Sequence, residues 1–389
     1  MATSKLASAT SRIGARLLPL LLALAPAGCG GGSWEVEYWG PVNGQPDKPH
    51  KPDHPQLETG VFLIAGNMCS DCGGTVDGAG SAARFNHPAG IAGDGKGNLY
   101  VAETASSTIR RVTMEGVVTT LAGGAGQTGN LDGATTAARF NLPADVAVAR
   151  DGSLYVSDTG NRTIRKISAA GVVSTLAGSV GVCGTADGSA LLAQFCDPQG
   201  IALAPSGDLY IADTGNNTIR RIDPAGRVST VAGSPGVCGS ANGRGNAANF
   251  CQPRDVAVDR YGNVYVADTG NSTVRMISAK GDVTTLAGMA PECGSADATG
   301  AAARLCRPAG IAVDDDDDLY VTDTGNSTVR RINLDDKVST IAGVAGQHQV
   351  VLGPLPGGLN APIGITVAGP QGTLAVTTAN QVLKVVAGR

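Results

Sequence analysis

The chain has 389 residues, enough to bury a large core, and it is rich in glycine (56 residues) and poor in aromatic residues (4%). Its net charge at pH 7 is −4, which excludes a protein that binds nucleic acid through a basic surface. We therefore expect no nucleic-acid partner.

Residues 1–28 have the features of an export signal. Three basic residues and no acid precede or adjoin the apolar stretch 17–24, which is too short to span a bilayer. Small residues then lead directly to Cys29, an order that resembles the lipobox of bacterial lipoproteins. The resemblance implies cleavage before Cys29 and lipid attachment to its thiol, which would hold the chain on a membrane. The alternative is an ordinary signal followed by an incidental cysteine.

Residues 29–59 are predicted to be a lipid-anchored tether. Gly30–Ser33 is a flexible sequence, and the five prolines between 41 and 55 favour an extended backbone. His50 and His54 lie among those prolines, where a solvated linker is favoured over a metal site. Gly30 stands where some Gram-negative lipoproteins carry the aspartate that retains them in the inner membrane. The resemblance therefore favours the outer membrane.

From residue 60 onward the sequence repeats with a period of 55 residues, marked by one tyrosine in each repeat: Tyr100, Tyr155, Tyr210, Tyr265 and Tyr320. The pattern predicts four short strands per repeat, A to D. In one repeat they are Ile201–Leu203, Leu209–Ala212, Thr218–Ile222 and Val228–Ala232. The Gly-Asn turn between strands B and C supplies residues that tolerate a positive φ. Such strands and turns are typical of a β-propeller with one sheet per blade.

Counting the strands predicts six blades. Six A-to-C units begin near Gly90, Asp145, Gly200, Asp255, Gly310 and Gly364. Only five D strands follow them, while an unmatched strand of the same type occupies 60–66. We predict an all-β, six-bladed propeller over 60–389, closed by strand 60–66 completing the last blade, because closure removes an exposed sheet edge.

The runs 263–271 (NVYVADTGN) and 195–202 (FCDPQGIA) resemble the bacterial NHL-repeat family. The resemblance covers the whole of 60–389 and implies the same six-bladed propeller. It implies little about function, because NHL propellers bind proteins or RNA, act as extracellular sensors or, rarely, catalyse reactions.

Five repeats carry an acid and an arginine seven residues apart across the B–C turn. The pairs are Glu103/Arg110, Asp158/Arg165, Asp213/Arg220, Asp268/Arg275 and Asp323/Arg330. In the sixth repeat Thr377 or Thr378 stands in place of the acid. Lys384 or Val385 stands in place of the arginine, depending on where a one-residue gap is placed in the comparison of the repeats. Because the acid and the arginine occur together in the same five repeats, we predict that they form structural ion pairs, either across each hairpin or between neighbouring blades.

The cysteines also follow the repeat. Cys183/Cys196, Cys238/Cys251 and Cys293/Cys306 are each 13 residues apart at equivalent positions, which predicts a disulfide in each D–A connection and an oxidising compartment. Cys69 and Cys72 have no counterpart, and a local bridge is favoured. A redox dithiol or half of a zinc site are the alternatives for this CxxC spacing.

Two acidic motifs invite functional readings. The tripeptide Asp-Thr-Gly of aspartic proteases occurs four times, but that chemistry needs two carboxylates that share a proton, and these copies lie on separate blades. Asp314–Asp318 are five consecutive aspartates in one A–B turn. A solvated acidic turn is favoured there over weak Ca²⁺ binding, because only alternate side chains of a turn can converge on an ion and the equivalent turns of other blades are simple bends.

Catalytic candidates are few. Peptide-amidating lyases use a similar propeller with zinc held by several histidines, whereas this propeller has only His87 and His348. Gluconolactonase-like propellers place Glu, Asn and Asp around a central metal, and no such set breaks the repeat here. We expect no catalytic site, metal or cofactor. A metal-assisted lactonase or lyase in the central channel is the alternative, and a purely structural envelope protein is a third.

The sequence therefore predicts a monomeric envelope lipoprotein that binds a protein or a peptidoglycan-associated partner. The B–C hairpins and D–A connections should share one face of the propeller, and long loops on a rigid scaffold commonly carry binding sites. Residues that vary between blades in those connections are the candidates for partner binding: Gln127, Asn130, Arg244, Glu292 and Gln347.

Overall fold

The computed structural model describes residues 58–69, 73–370 and 372–388. The predicted signal 1–28, Cys29, nearly all of the tether and Cys72 lie outside the described residues. The described part is almost entirely β and forms six blades around a central axis, so the predicted six-bladed propeller is confirmed. No helix within the described ranges combines the length and apolar character needed to cross a membrane.

Strands A to D of each blade follow one another in the chain. Blade 1 comprises Pro88–Gly93, Asn98–Glu103, Thr108–Thr113 and Val117–Gly123; blade 2, Pro143–Val148, Leu154–Asp158, Thr163–Ile167 and Val172–Ala177; blade 3, Pro198–Leu203, Leu209–Asp213, Thr218–Ile222 and Arg227–Ala232; blade 4, Pro253–Val258, Val264–Asp268, Thr273–Ile277 and Asp282–Ala287; blade 5, Pro308–Val313, Leu319–Asp323, Thr328–Ile332 and Val338–Ala342.

The last blade joins the two ends of the propeller. Its strands A to C are Ile365–Gly369, Thr373–Thr377 and Gln381–Val386, and its strand D is Gly60–Gly66. The N-terminal strand pairs antiparallel with the C-terminal one, with Val61 opposite Val385. The predicted closure is therefore confirmed, and no unpaired edge of an incomplete blade remains.

Each D–A connection crosses the outer edge of the blade that it enters. In blades 1 to 4 it adds a short edge strand beside strand D: Gly78–Ala79, Gly133–Ala134, Gly188–Ser189 and Gly243–Arg244. Short 3₁₀ turns occupy some connections and four B–C hairpins: Gly80–Ala82, Gly245–Ala247, Gly300–Ala302, Thr159–Asn161, Thr214–Asn216, Thr269–Asn271 and Thr324–Asn326. The chain then returns inward to the axis.

Apolar side chains pack between neighbouring blades, which is why no blade is stable alone. One cluster joins Ala102, Ile109 and Ala122 of blade 1 to Phe140 and Val156, which belong to blade 2 or the connection leading into it. The side chain of Phe140 lies against Gly123 at the end of strand D of blade 1, where the positive φ (+89°) favours glycine. Equivalent clusters occur around the ring.

In blades 1 to 5 a buried arginine ties the preceding connection to the blade. Arg165 is fully buried, and its Nη1 donates to Asp158 Oδ2 (2.7 Å) and to the carbonyl of Arg139 (2.9 Å). Its Nη2 donates to Asp132 Oδ1 (2.6 Å), and the guanidinium carbon lies 5.2 Å from the ring centre of Phe140. The arginine therefore lies at the centre of hydrogen bonds from one hairpin to the connection that precedes it.

The same acid–arginine pair recurs within each of the first five blades, across its own B–C hairpin. The N–O distances are 2.9 Å for Arg110–Glu103, 2.7 Å for Arg165–Asp158, 2.8 Å for Arg220–Asp213, 2.9 Å for Arg275–Asp268 and 2.7 Å for Arg330–Asp323. The pairs are thus within blades and not between them.

Blade 6 lacks the acid–arginine pair, and one of the residues that replace it differs from those expected from the sequence. Leu383 lies opposite Val376 and Leu63, as Arg165 lies opposite Val156 and Thr175, so Leu383 takes the arginine position and Thr378 the acid position. The assignment to Lys384 or Val385 is wrong, because this B–C hairpin is two residues shorter than that of blade 2. Leu383 is fully buried in an apolar cluster, which needs no counter-charge.

Candidate functional site

The Asp-Thr-Gly tripeptides build the ring. In blade 3, Asp213 Oδ1 accepts the N–H of Cys196 (2.7 Å), and Thr214 Oγ1 donates to the carbonyl of Pro253 in blade 4 (2.6 Å). Gly215 donates its N–H to the carbonyl of Cys196 (2.7 Å), so close that a side chain on Gly215 would overlap it. The aspartates bind arginines of their own blades, which fits a structural role and not a protease pair.

Three predicted disulfides are confirmed: Cys183–Cys196, Cys238–Cys251 and Cys293–Cys306. Each closes the inner part of a D–A connection, and together they indicate an oxidising compartment. Cys69 is also disulfide-bonded, while Cys72 lies outside the described residues.

Three of the predicted partner-binding residues occupy one equivalent position on the connections, and all three are exposed. Gln127 accepts a hydrogen bond from Arg139 (2.6 Å), and Glu292 pairs with Arg304 (3.0 Å) within the same connection. Gln347 is the third. Two of these side chains are thus already engaged locally.

The other two candidates lie apart. Asn130 is exposed further along its connection. Arg244 lies in an edge strand opposite Asp282, the first residue of strand D, and therefore at the end of the blade away from the hairpins. The structure does not bring the five residues together into one site.

Three carboxylates of the acidic turn, those of Asp314, Asp317 and Asp318, have partners in the protein, and Asp317 pairs with Arg260 of blade 4 (2.8 Å). Asp314 Oδ1 accepts the N–H groups of Asp316 (3.0 Å) and Asp318 (2.9 Å), and its Oδ2 accepts the hydroxyl of Tyr320 (3.1 Å). Asp318 in turn pairs with Arg331. These contacts organise the turn, while Asp315 and Asp316 are exposed, as a solvated acidic turn predicts.

A cavity of about 240 Å³ opens on the axis, at the face that carries the B–C hairpins. Residues at or just before the start of the six A strands line it, mostly with small or apolar side chains such as Ala89, Ala144, Ala309 and Ile363. The equivalent positions of blades 3 and 4 carry Gln199 and Arg254, the polar exceptions in this ring. We name this space the axial cavity.

Six residues one step deeper form the floor, which we name the neck: Gly90, Asp145, Gly200, Asp255, Gly310 and Gly364. A second cavity of about 220 Å³, lined by the rest of the A strands, borders the neck from the other side. Backbone or carboxylate atoms of the next blade lie where a Cβ of each neck glycine would be. Glycine is therefore required there for the blades to approach one another.

At the neck, Asp145 and Asp255 each contact the blade before and the blade after their own. Asp145 Oδ2 accepts the N–H of Ile201 in blade 3 (2.8 Å), and its Oδ1 covers Gly90 of blade 1. Asp255 Oδ2 accepts the N–H of Ile311 in blade 5 (2.8 Å). Its Oδ1 accepts the N–H of the adjacent Val256 (2.7 Å) and covers Gly200 of blade 3.

These two carboxyl groups are enclosed by protein, although each keeps part of its surface open to the cavity. Burial raises the pKa of Asp145 well above its usual value, and the charge of Asp255 raises it further. Burial also raises the pKa of Asp255, despite its hydrogen bonds from Ile311 and Val256 and the charge of Arg254. The pair therefore holds a proton more readily than solvent-exposed carboxyls.

A second set of six residues occupies equivalent positions just before the A strands, and one of them, Leu142, lines the axial cavity. We name this set the rim: His87, Leu142, Asp197, Gln252, Arg307 and Ala361. Each has φ between 42° and 54° and precedes a proline, which in blades 1 to 5 is the first residue of strand A. Side chains of the preceding hairpin hold some of them, as Asn217 Oδ1 holds the N–H of Gln252 (2.7 Å). Strained residues that persist at equivalent positions indicate a fixed, pre-formed rim.

Sequence reasoning missed the neck and the rim. The signal was present, because the third residue of strand A alternates between glycine and aspartate over blades 1 to 4, and the rim position carries six different residues. What was lacking is the knowledge that these positions converge on the axis. The six-blade alignment alone does not show which strand is innermost.

Comparison with known families bears on this cavity. The model for the SMP-30/Gluconolactonase/LRE-like region matches residues 75–300, more than half of the chain. This chain belongs to that family. The NHL repeat model matches residues 305–332 in blade 5, which agrees with an NHL-type propeller.

Curated relatives are similar over the propeller. Protein SUPPRESSOR OF QUENCHING 1, chloroplastic, from Arabidopsis thaliana is 29% identical over 277 residues, which cover 67% of this chain and 26% of that protein. Human NHL repeat-containing protein 2 is 31% identical over 287 residues, covering 65% of this chain and 39% of that protein. The chain thus spans less than half of either relative.

Solved structures show the same fold. A Bacteroides thetaiotaomicron protein of unknown function superposes with a TM-score of 0.65 at 21% identity, covering 84% of this chain and 76% of that one. An auxiliary nutrient binding protein from Bacteroides ovatus gives 0.62 at 18% identity, covering 85% and 77%. At these identities the likeness concerns the fold alone.

The family implies a central metal held by Glu, Asn and Asp, and the residues at the neck do not fit one. Asp145 and Asp255 already accept backbone N–H groups, and the positive charge of Arg254 acts on Asp255. Within the described ranges, no three His, Cys, Asp or Glu side chains converge as metal ligands. Two carboxylates beside an arginine are a poor donor set for a divalent cation.

Proposed function

We propose that this protein is an exported binding module of the cell envelope that receives its partner at the rim and axial cavity. The observation that carries the proposal is the contrast between scaffold and rim. Scaffold positions such as Asp213 and Arg220 recur around the ring, whereas the six rim positions carry six different side chains on a fixed backbone. Differing side chains on a rigid concave surface are suited to selective binding.

Two observations support the proposed location in the cell envelope. Three disulfides indicate an oxidising compartment, and the lipobox-like sequence before Cys29 supplies a route to a lipid anchor, favouring the outer membrane. We therefore propose a protein or peptidoglycan-associated partner for a monomeric propeller. Labelling of cells with a palmitate analogue tests the anchor. The wild type should be labelled and Cys29→Ala unlabelled, and equal labelling would refute lipidation.

Site-specific photo-crosslinking in intact cells tests the binding face. A benzophenone side chain at Gln252, on the rim of blade 4, should give a higher-mass adduct with the partner. The same side chain at Tyr261, exposed in the A–B turn of that blade on the opposite face, is the matched control and should not. Adducts from Tyr261 alone, or equally from both, would contradict the proposal.

An enzyme in the channel is the second candidate, favoured by the family and by two enclosed carboxyl groups with raised pKa values at the neck. One of them would act as a general acid or base on a substrate in the axial cavity. A panel of lactones tests this function. If the protein is such an enzyme, the wild type hydrolyses at least one lactone and Asp145→Asn abolishes that hydrolysis. A wild-type rate equal to that of the buffer blank contradicts the enzyme proposal.

A further inference from the structure

Two arginines of neighbouring blades have no bound carboxylate, one in the wall of the axial cavity and one two residues before Ala309, which lines the same cavity. Arg254 lines the wall from strand A of blade 4, and Arg307 is the rim residue of blade 5. Throughout the described part of the chain, neither guanidinium donates a hydrogen bond or forms an ion pair. Arg165, by contrast, binds two carboxylates and two carbonyls.

The two positive charges act on each other. Burial lowers the pKa of the Arg254 guanidinium, the charge of Asp255 opposes that shift, and repulsion from Arg307 adds to it. Like charges that face one cavity are unfavourable unless a counter-ion joins them. Asp255 offsets one charge in part, which leaves room for a single negative charge.

We propose that Arg254 and Arg307 bind the carboxylate of a small organic acid, whose remainder occupies the axial cavity. Arginine presents a planar fork of donors that matches a carboxylate. Ala144, Ala309 and Ile363 offer an apolar wall to the remainder, and Gln199 adds an amide. The cavity of about 240 Å³ is slightly smaller than pockets for drug-sized ligands, which start near ~300 Å³.

The proposal rests on the proposed function, since it names the class of ligand for the same cavity. A single negative charge distinguishes the ligand from a divalent cation, which the two arginines would repel. It also distinguishes it from a neutral sugar, whose hydroxyl groups can accept hydrogen bonds but bring no counter-charge to the two guanidinium groups.

Titration calorimetry of the full chain with benzoate tests the inference, and benzamide serves as the neutral probe of the same shape. The variants are Arg254→Gln and Arg307→Gln, because glutamine occupies the equivalent positions Gln199 and Gln252 in neighbouring blades. Arg162→Gln, at a half-buried arginine on the hairpin of blade 2 that donates to the carbonyl of Gly181, is the matched control.

We expect saturable binding of benzoate and at least about tenfold weaker binding of benzamide. Arg254→Gln and Arg307→Gln should each weaken benzoate binding by about tenfold or more, while Arg162→Gln leaves it unchanged. Absence of saturation at about 10 mM benzoate, or equal affinity in all variants, overturns the inference. Melting temperatures of the variants close to the wild type show that lost binding is not lost folding.

The outcome is separable from that of the proposed function. If the crosslink at Gln252 forms but benzoate does not bind, the rim is a binding face and the carboxylate assignment alone is overturned. If benzoate binds as expected and no crosslink forms, the ligand is a small molecule and the macromolecular partner is refuted.

Discussion

Replacing Arg220 with methionine should lower the free energy of unfolding by about 3–5 kcal/mol, the usual cost of breaking a buried ion pair. The guanidinium donates to Asp213 (2.8 Å), Asp187 (2.6 Å) and the carbonyls of Gln194 (2.8 Å) and Ala186 (3.0 Å). Asp187 keeps a side chain 45% exposed and can be rehydrated, but Asp213 is fully buried. The uncompensated Asp213 carboxylate therefore dominates the loss.

The adjacent Arg221 provides a matched control. Its side chain is 41% exposed and lies 3.8 Å from Asp208, so Arg221→Met should change stability by about 0.5 kcal/mol or less. A second variant, Asp213→Thr with Arg220→Leu, reproduces the residues that blade 6 carries at Thr378 and Leu383. It should lose less stability than Arg220→Met, because no buried charge remains.

Chemical denaturation followed by circular dichroism at pH 8 and pH 5 measures these changes. Burial raises the pKa of Asp213 to about 6, and loss of Arg220 should raise it further. An acid whose pKa is higher in the folded state lowers stability as pH rises from its unfolded pKa through its folded pKa. The deficit of Arg220→Met should therefore be larger at pH 8. A deficit below about 1 kcal/mol at both pH values would refute the structural role.

Three further predictions test other parts of the structure. Replacing Cys238 and Cys251 together with serine should cost about 3 kcal/mol in the chain-entropy model, seen as a lower melting temperature in calorimetry. Gly200→Ala would place a methyl group against the Asp255 carboxylate and backbone, so it should lower the free energy of unfolding by about 1–3 kcal/mol. Gly93→Ala is the control and should not, because the atom nearest to its Cβ would lie 3.4 Å away. Burial raises the pKa of Asp255, so its ionisation lowers stability as pH rises from 4 toward neutrality, and melting curves of Asp255→Asn should show a smaller loss over that range.

The fold could be predicted because the recurring residues build it. Asp158, Thr159 and Arg165 each make a contact that every early blade needs, and a requirement that recurs becomes visible as a period in the sequence. Closure by strand 60–66 followed from counting strands, since a missing strand D at one end matched an extra one at the other. Blade 6 was misaligned because a shortened hairpin leaves no recurring residue to mark the gap.

The candidate site could not be predicted in the same way. Arg254, Arg307 and Gln199 matter because they do not recur, and substitutions in a repeat are informative only when their place in space is known. The five residues proposed from the connections varied between blades as well, but Arg244 lies at the far end of its blade and Glu292 binds Arg304. Variation between blades pointed to the loops of the connections, whereas the structure shows which of the varying residues lie near the axis.

A crystal structure of the full chain grown with benzoate tests the central claim most directly. The account predicts a carboxylate between the guanidinium groups of Arg254 and Arg307, with the ring inside the axial cavity and no ion on the neck carboxyls. An axial cavity free of benzoate, or a metal ion held by Asp145 and Asp255, would contradict it.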